Sequence, residues 1–162
     1  MKSKIKLYLD SDGVLFDWDA RVIEILEGKQ VHQVPKGKVW ASIQRYNDTV
    51  QQFYKTLPLM DRAHVLVEFA QEYFEEVHVL TAAGFTPKDV KQQKIDCFAE
   101  HFPSFHVICV DKSPDKALYA SPTSILVDDR LKSIEPWVAG GGIGIMHTSI
   151  DDTIRQLMQY ID

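Results

Sequence analysis

Short apolar segments alternate with amphipathic helical patterns along most of this 162-residue chain. Buried strands are predicted where the segments are rich in β-branched residues and bounded by turn or polar residues: Ile5–Leu9, Val77–Leu80, Phe105–Val110, Ile125–Val127 and Ile143–Met146. Helices are predicted between or after most of them, over Ala63–Phe74, Pro87–Phe102, Leu131–Val138 and Thr153–Ile161. Because such alternation builds crossover units, the sequence predicts an α/β fold with a parallel sheet flanked by helices on both faces.

The connection after the first strand has a different pattern. Two or three short helices and no obvious strand are predicted there, over Arg21–Glu27, Val39–Tyr46 and Val50–Leu57. An insertion at this point lies at the carboxyl ends of the strands, where open α/β sheets bind ligands, so we interpret it as a cap over the site. The predicted organisation is a catalytic core of residues 1–16 and 60–162 and a small helical cap of residues 17–59.

Composition limits the partners of the chain. A net charge of −5 weighs against polymeric nucleic acid, whose binding proteins usually present a basic surface. A small phosphorylated ligand stays compatible, because one metal ion and one lysine can reverse the charge locally. No apolar run approaches the ~20 residues of a membrane span, and the first residues do not read as a signal peptide. We therefore expect a cytoplasmic protein without a membrane partner; the sequence leaves homodimer formation open.

The strongest chemical signal lies at the end of the first predicted strand, in the segment Leu9-Asp10-Ser11-Asp12-Gly13. Residues two apart on a strand point to the same face, so the carboxylates of Asp10 and Asp12 can converge on one site. One carboxylate there can attack phosphorus or bind a metal ion while the other moves protons. A solvated acidic turn is the alternative. An EF-hand does not fit, because its remaining ligand positions and closing Glu are missing.

This segment resembles the first motif of the haloacid dehalogenase (HAD) superfamily, an apolar strand followed by Asp-x-Asp-Gly-(Val/Thr). The resemblance implies a Rossmann-like core in which Asp10 is the nucleophile that forms an aspartyl-phosphate. It implies that Asp12 is the acid/base that protonates the leaving oxygen and then activates water. Asp at the second position is similar to the phosphatase branch of the superfamily, whereas the dehalogenases and P-type ATPases carry other residues there.

Adjacent acids after the fourth predicted strand resemble the superfamily motif that completes a Mg²⁺ site. The resemblance implies that Asp129 is a direct ligand, that Asp128 is a partner one layer further out, and that Asp10 and the backbone carbonyl of Asp12 supply further oxygens. An all-oxygen, partly hydrated set of this kind suits Mg²⁺. Capping of a helix N-terminus is the alternative for the two adjacent acids.

Two further motifs concern the phosphoryl group. Val77–Thr81 resembles the second motif, which implies that the Thr81 hydroxyl and nearby backbone N–H groups, including that of Ala82, hold a phosphoryl oxygen. The third motif is a lysine ahead of the fourth strand, whose charge would neutralise the nucleophile and the phosphoryl group. Lys112 and Lys116 are both candidates, and Lys116 is favoured because it opens the predicted helix Lys116–Ala120, where the motif usually lies.

Within the superfamily, the sequence is most similar to the small 5'(3')-deoxyribonucleotidases. The similarity rests on Asp10–Trp18 and on Phe53–Met60, which resembles that family's junction between cap and core. It implies that Trp18, eight positions after the nucleophile, lies against the nucleobase. Trp40 is a second candidate for substrate contact, and packing of the cap helices is the alternative for both tryptophans. The chain departs from the family by having Thr81-Ala82-Ala83 where the family tends to have Thr-Ser-Pro.

The sequence therefore predicts a Mg²⁺-dependent phosphomonoesterase that acts through an aspartyl-phosphate, with a (deoxy)nucleoside monophosphate as the expected substrate. Two alternatives stay open. One is a phosphatase for another small phosphorylated metabolite or a nucleic-acid 3'-phosphate. The other is a catalytically silent binding module, although a silent relative would be expected to have lost at least one of the motif residues.

Overall fold

A single parallel sheet forms the centre of the protein. The computed structural model describes residues 1–161, and its strands are β1 (Lys6–Leu9), β2 (Val77–Ala82), β3 (His106–Val110), β4 (Ser124–Asp128) and β5 (Ile143–Met146). Their order across the sheet is β3-β2-β1-β4-β5, and every neighbouring pair is parallel. The predicted parallel α/β sheet is confirmed, and each predicted strand is present to within two residues at either end.

Among the described residues, six α-helices accompany the sheet: α1 (Trp18–Ile25), α2 (Lys36–Thr49), α3 (Ala63–Tyr73), α4 (Val90–His101), α5 (Leu131–Ala139) and α6 (Ile150–Leu157). Three short 3₁₀ helices cover Val31–Gln33, Ser113–Tyr119 and Met158–Tyr160. In the part of the chain that the structure describes, none of these helices combines the length and apolar character needed to cross a membrane.

The two faces of the sheet carry different parts of the core because side chains alternate along each strand. Leu7 and Leu9 of β1 belong to the larger apolar cluster, which includes residues of α3, α4 and α6. Tyr8, between them, points to the other face and belongs to a smaller cluster with Trp137 of α5. Helices therefore cover both faces, and the carboxyl edge of the sheet is left for a site.

Some helix predictions were wrong in extent. The helix predicted from Pro87 begins at Val90, after a turn. The last helix begins three residues earlier than predicted, at Ile150, because the Ser149 hydroxyl accepts the Asp152 N–H at 3.2 Å and caps it. The helix predicted over Lys116–Ala120 is the second half of a 3₁₀ helix that begins at Ser113.

The helix predicted over Val50–Leu57 is absent, and turns occupy the segment instead. Side chains from other helices accept backbone N–H groups that helical carbonyls would otherwise accept. Asn47 Oδ1 accepts the Phe53 N–H at 3.0 Å, and Gln93 Oε1 of α4 accepts the Tyr54 N–H at 2.9 Å. These bonds satisfy the backbone without a helix and attach the segment to the core.

The insertion after β1 consists of α1, a 3₁₀ turn, α2 and this turn segment. Arg21 of α1, only 8% exposed, ties its two ends together, since its guanidinium donates to the Thr56 hydroxyl at 3.0 Å and to the Thr56 carbonyl at 2.8 Å. The predicted boundaries of a cap at residues 17–59 remain a prediction.

Candidate active site

Acidic and hydroxyl side chains meet at the carboxyl ends of the three central strands. Asp10 directly follows β1, and its backbone N–H donates to the Val127 carbonyl of β4 at 2.9 Å. Thr81 lies near the end of β2, and Asp128 is the last residue of β4. Because β2, β1 and β4 are neighbours in the sheet, residues far apart in sequence are brought to one edge.

A cavity of about 660 Å³ opens at this edge. Its lining includes most of the site residues predicted from sequence, namely Asp10, Asp12, Trp18, Trp40, Ala82, Lys112, Lys116 and Asp128. Thr81 is buried, and Asp129 lines a neighbouring cavity of about 430 Å³ together with Gly13 and His147. The insertion after β1 contributes Trp18, Lys36, Trp40 and Tyr54 to the main cavity, so it forms one wall of the site.

Lys116 lies between two carboxylates. Its ammonium donates to Asp10 Oδ1 at 2.8 Å and to Asp128 Oδ2 at 2.6 Å. Burial alone would lower the pKa of Lys116, but the negative charges of Asp10 and Asp128 outweigh it and raise that pKa, so the side chain stays cationic. Lys112, the other candidate from sequence, is exposed at the mouth of the cavity. The structure therefore brings Lys116, and not Lys112, against the acids.

Asp10, Asp128 and Asp129 form a carboxylate cluster in which one oxygen from each lies within 4.8 Å of the others. Burial, followed by the negative charges of Asp10 and Asp128, raises the pKa of Asp129 to about 7. Burial and the charge of Asp10 also raise the pKa of Asp128. Carboxylates held this close repel one another, and a bound cation relieves that repulsion.

The hydrogen bonds of the two adjacent acids differ. Both oxygens of Asp128 accept protein donors, since Oδ1 accepts the Arg130 N–H at 2.9 Å and Oδ2 accepts Lys116. Asp129 Oδ1, in contrast, is buried and has no hydrogen-bond partner among residues 1–161. A buried carboxylate oxygen without a donor, beside two other carboxylates, is what a hard divalent cation such as Mg²⁺ would bind. The residues present fit a metal ion held by Asp129 and Asp10.

Gly13 makes room for Asp129. Its φ of +81° is a left-handed conformation that glycine adopts at low cost. A Cβ built at this position would lie 2.1 Å from Asp129 Oδ2, far inside van der Waals contact. Glycine therefore allows the loop after β1 and the carboxylate after β4 to meet.

A second buried lysine belongs to the site and was not predicted from the sequence. Lys94 of α4 is 2% exposed, and its ammonium donates to Asp12 Oδ2 at 2.7 Å and to the Thr81 hydroxyl oxygen at 2.8 Å. The sequence does contain a signal, because Lys94 is four residues after Val90 and four before Phe98, both fully buried. A lysine at that spacing lies on the apolar face of the helix, where an unpaired ammonium would be costly.

Aromatic side chains form the wall contributed by the insertion. Trp18 is 8% exposed, and its indole N–H points to the Tyr54 hydroxyl at 3.4 Å. Trp40 lies beside it, with ring centroids 6.2 Å apart, and is 37% exposed. Burial, followed by the negative charge of Asp12, raises the pKa of Tyr54, which stays a neutral phenol. Both tryptophans line the cavity, and Trp40 exposes more of its surface there than Trp18 does.

The mouth of the cavity is basic although the chain as a whole is acidic. The four cationic side chains there are exposed, and none forms an ion pair within residues 1–161: Lys36, Lys112, Arg130 and Lys132. The acid at the same mouth, Asp111, is paired with Lys91 at 2.7 Å. A net positive field at the entrance favours an anionic ligand.

Comparison with known proteins shows which solved structures have a similar fold. Neither a family model nor a curated protein matches the sequence. Among solved structures, the chain is similar to a HAD-superfamily hydrolase from Ehrlichia chaffeensis, with 15% identity, a TM-score of 0.63 and 100% of both chains covered. It is similar to a dehalogenase, with 11% identity, a TM-score of 0.64 and 96% of this chain and 98% of that one covered. It is also similar to the HAD-hydrolase YfnB from Bacillus subtilis bound to magnesium, with 13% identity, a TM-score of 0.55 and coverages of 90% and 87%. The chain has the α/β fold of HAD hydrolases, as the sequence predicted.

Proposed function

We propose that this protein is a Mg²⁺-dependent phosphomonoesterase in which Asp10 is the nucleophile and Asp12 is the acid/base. The observation that carries the proposal is the separate pairing of the two carboxylates. Asp10 accepts a hydrogen bond from buried Lys116, and Asp12 accepts one from buried Lys94. Each acid is thus held in its own position by a different cation, so the two carboxylates can take different roles in one site.

In the first step, a carboxylate oxygen of Asp10 attacks phosphorus and the bond from phosphorus to the leaving oxygen breaks. Asp12 gives its proton to that leaving oxygen. Lys116, already against Asp10, balances the negative charge that gathers around the transferring group. Thr81, 1% exposed at the end of β2, offers its hydroxyl to a phosphoryl oxygen.

In the second step, water attacks phosphorus of the aspartyl-phosphate, Asp12 takes the proton of that water, and Asp10 is released with inorganic phosphate. Asp12 is ionised after the first step and protonated again after the second, so the second step restores it for another cycle. A Mg²⁺ ion held by Asp10, Asp129 and the backbone of Asp12 would supply charge neutralisation at the phosphoryl oxygens. The unpartnered Asp129 oxygen and the raised pKa of that residue support such a site.

The substrate class that fits best is a nucleoside monophosphate. A volume of about 660 Å³ lies within the range of small-molecule pockets, which favours a metabolite over a polymer. The half-exposed face of Trp40 offers a flat apolar surface for a nucleobase, as the resemblance to deoxyribonucleotidases implies. The basic mouth, with Lys112 and Arg130, suits a phosphorylated ligand. Asp at the second position of the Asp-x-Asp segment favours phosphate over halide chemistry.

Phosphate release from a substrate panel tests the proposal. The panel holds 5'- and 3'-nucleoside monophosphates, deoxy and ribo, together with sugar phosphates and a haloacid, each in Mg²⁺ and in EDTA. We expect Mg²⁺-dependent release with a preference for nucleoside monophosphates, and none from Asp10→Asn, which keeps the shape of the side chain. Release from sugar phosphates alone would contradict the substrate class. Halide release without phosphate release would contradict the chemistry.

A further inference from the structure

We propose that Lys94 is a positioning residue that selects which oxygen of Asp12 takes part in proton transfer and which way the Thr81 hydroxyl donates. This inference rests on the proposed phosphatase function. Lys94 lies on α4, outside the segments that carry the motif residues, and its ammonium joins Asp12 of the loop after β1 to Thr81 of β2.

Hydrogen-bond donors and acceptors fix what each partner can still do. An ammonium group has three donors and no acceptor, so both Asp12 Oδ2 and Thr81 Oγ must accept from Lys94. The Thr81 hydroxyl hydrogen is then free to point elsewhere, and a phosphoryl oxygen in the cavity can accept it. Asp12 Oδ1 is buried and has no partner among the described residues, so it is the oxygen left to exchange a proton with the leaving group.

The ammonium itself is held in place. Val90 and Phe98, one helical turn away on either side, are fully buried and fix that face of α4. The ring of Tyr54 covers the ammonium, with its centroid 5.0 Å from Nζ, a cation–π distance. The neighbouring Gln93 is fully buried and accepts the Tyr54 N–H at 2.9 Å, so the aromatic cover is anchored to the same helix.

Among residues 1–161, Lys94 is the one cation that forms an ion pair with Asp12. Lys116 contacts Asp10 and Asp128, and the other cations that line the cavity are at its mouth. Removing Lys94 would therefore leave Asp12 without its cation and would release both the carboxylate and the Thr81 hydroxyl from their fixed orientations. The acid step is then the one that suffers selectively, because it needs Asp12 Oδ1 within reach of the leaving oxygen.

The dependence of rate on the leaving group separates this role from a merely structural one. A nucleoside is a poor leaving group that needs a proton, whereas p-nitrophenolate leaves without one. Because kcat/KM reports on phosphoryl transfer up to the first irreversible step, it isolates the acid step from the hydrolysis of the intermediate. Loss of phosphoryl binding through Thr81 lowers both values by a similar factor, while loss of Asp12 orientation lowers only the value for the nucleotide.

The experiment compares kcat/KM for a nucleoside 5'-monophosphate and for p-nitrophenyl phosphate in wild type, Lys94→Met and Lys94→Arg. Gln92→Met, at an exposed position of the same helix, is the matched control. We expect Lys94→Met to lose about tenfold or more on the nucleotide beyond its loss on the nitrophenyl ester, which is part of the roughly 10²–10⁴-fold that general acid catalysis contributes. Lys94→Arg, which keeps a cationic donor, should restore part of that difference, and Gln92→Met should show none.

Equal losses on both esters, or no loss in Lys94→Met, would overturn the inference while leaving the proposed function intact. If Lys94→Met does not fold by circular dichroism, the neutral donor variant Lys94→Gln takes its place and the same ratio decides. Failure of the wild-type protein to hydrolyse either ester would overturn the proposed function and, with it, the role of Lys94.

Discussion

Replacing Gly13 with alanine should both strain the backbone at that position and displace the carboxylate of Asp129. The φ of Gly13 is +81°, a conformation that costs an L-residue about 1–2 kcal/mol. The new Cβ would lie 2.1 Å from Asp129 Oδ2, and ordinary contact begins at 3.4 Å, so the carboxylate must retreat by about 1.3 Å. Metal-ligand distances tolerate only about ±0.2 Å. We therefore expect Gly13→Ala to lose about 100-fold in Mg²⁺ affinity as well as about 1–2 kcal/mol of stability.

Gly141→Ala is the matched control, because Gly141 has a φ of +90° and nothing within 4 Å of its Cβ position. Urea unfolding measures the strain in both variants, and calorimetric titration with Mg²⁺ measures the site. Gly141→Ala should lose a similar free energy of unfolding relative to wild type, and this loss should be the same in Mg²⁺ and in EDTA. Its Mg²⁺ affinity should equal that of wild type. A Gly13→Ala variant whose Mg²⁺ affinity is within a factor of three of the control would show that Gly13 does not position Asp129 for the metal ion.

Three further predictions concern the cavity and its metal site. Because the pKa of Asp129 is raised to about 7, Mg²⁺ must displace a proton from Asp129 at lower pH. The Mg²⁺ affinity should therefore fall about tenfold per pH unit below 7 and level off above it. An Mg²⁺ affinity that does not change between pH 5 and 8 would contradict this. The double variant Lys112→Ala/Arg130→Ala should raise KM for nucleoside monophosphates at low salt by about tenfold with little change in kcat. The increase in KM should be smaller at high salt, where the charges are screened. An unchanged KM in steady-state assays at low salt would mean that these cations do not attract the substrate. Trp40→Ala should raise KM for a nucleoside monophosphate by about tenfold, since stacking on one base contributes about 1–3 kcal/mol, and should leave KM for p-nitrophenyl phosphate unchanged; equal effects on both would indicate packing alone.

The fold was predictable because its signals are local. Each strand is a short apolar run whose burial and alternation appear in consecutive residues, and the parallel sheet follows from the helices between the runs. The acids of the site were predictable for the same reason, since Asp10, Asp128 and Asp129 lie at strand ends. Where local signals were ambiguous, as for Lys112 and Lys116, only the three-dimensional structure distinguished the residue that meets the acids.

The role of Lys94 was not predictable, because its partners lie far from it in sequence. It contacts Asp12, 82 residues earlier, and Thr81, 13 residues earlier, and both contacts depend on how α4 packs against the sheet. The helix prediction for the turn segment after α2 was wrong for a similar reason. The apolar residues of the segment have helical spacing, but the side chains of Asn47 and Gln93, which lie outside it, accept two of its backbone N–H groups. Long-range hydrogen bonds of this kind override local propensity.

Trapping the aspartyl-phosphate tests directly whether Asp10 is the nucleophile. Wild-type protein is mixed with Mg²⁺ and a good nucleoside monophosphate substrate, quenched in acid within the first turnover and digested for mass spectrometry. We expect the mass of one phosphoryl group on the peptide that contains Asp10 and its absence in Asp10→Asn. The adduct should accumulate in Asp12→Asn with p-nitrophenyl phosphate, which needs no acid for the first step. Phosphate release at the wild-type rate from Asp10→Asn, with no adduct on the wild-type peptide, would show that Asp10 is not the nucleophile.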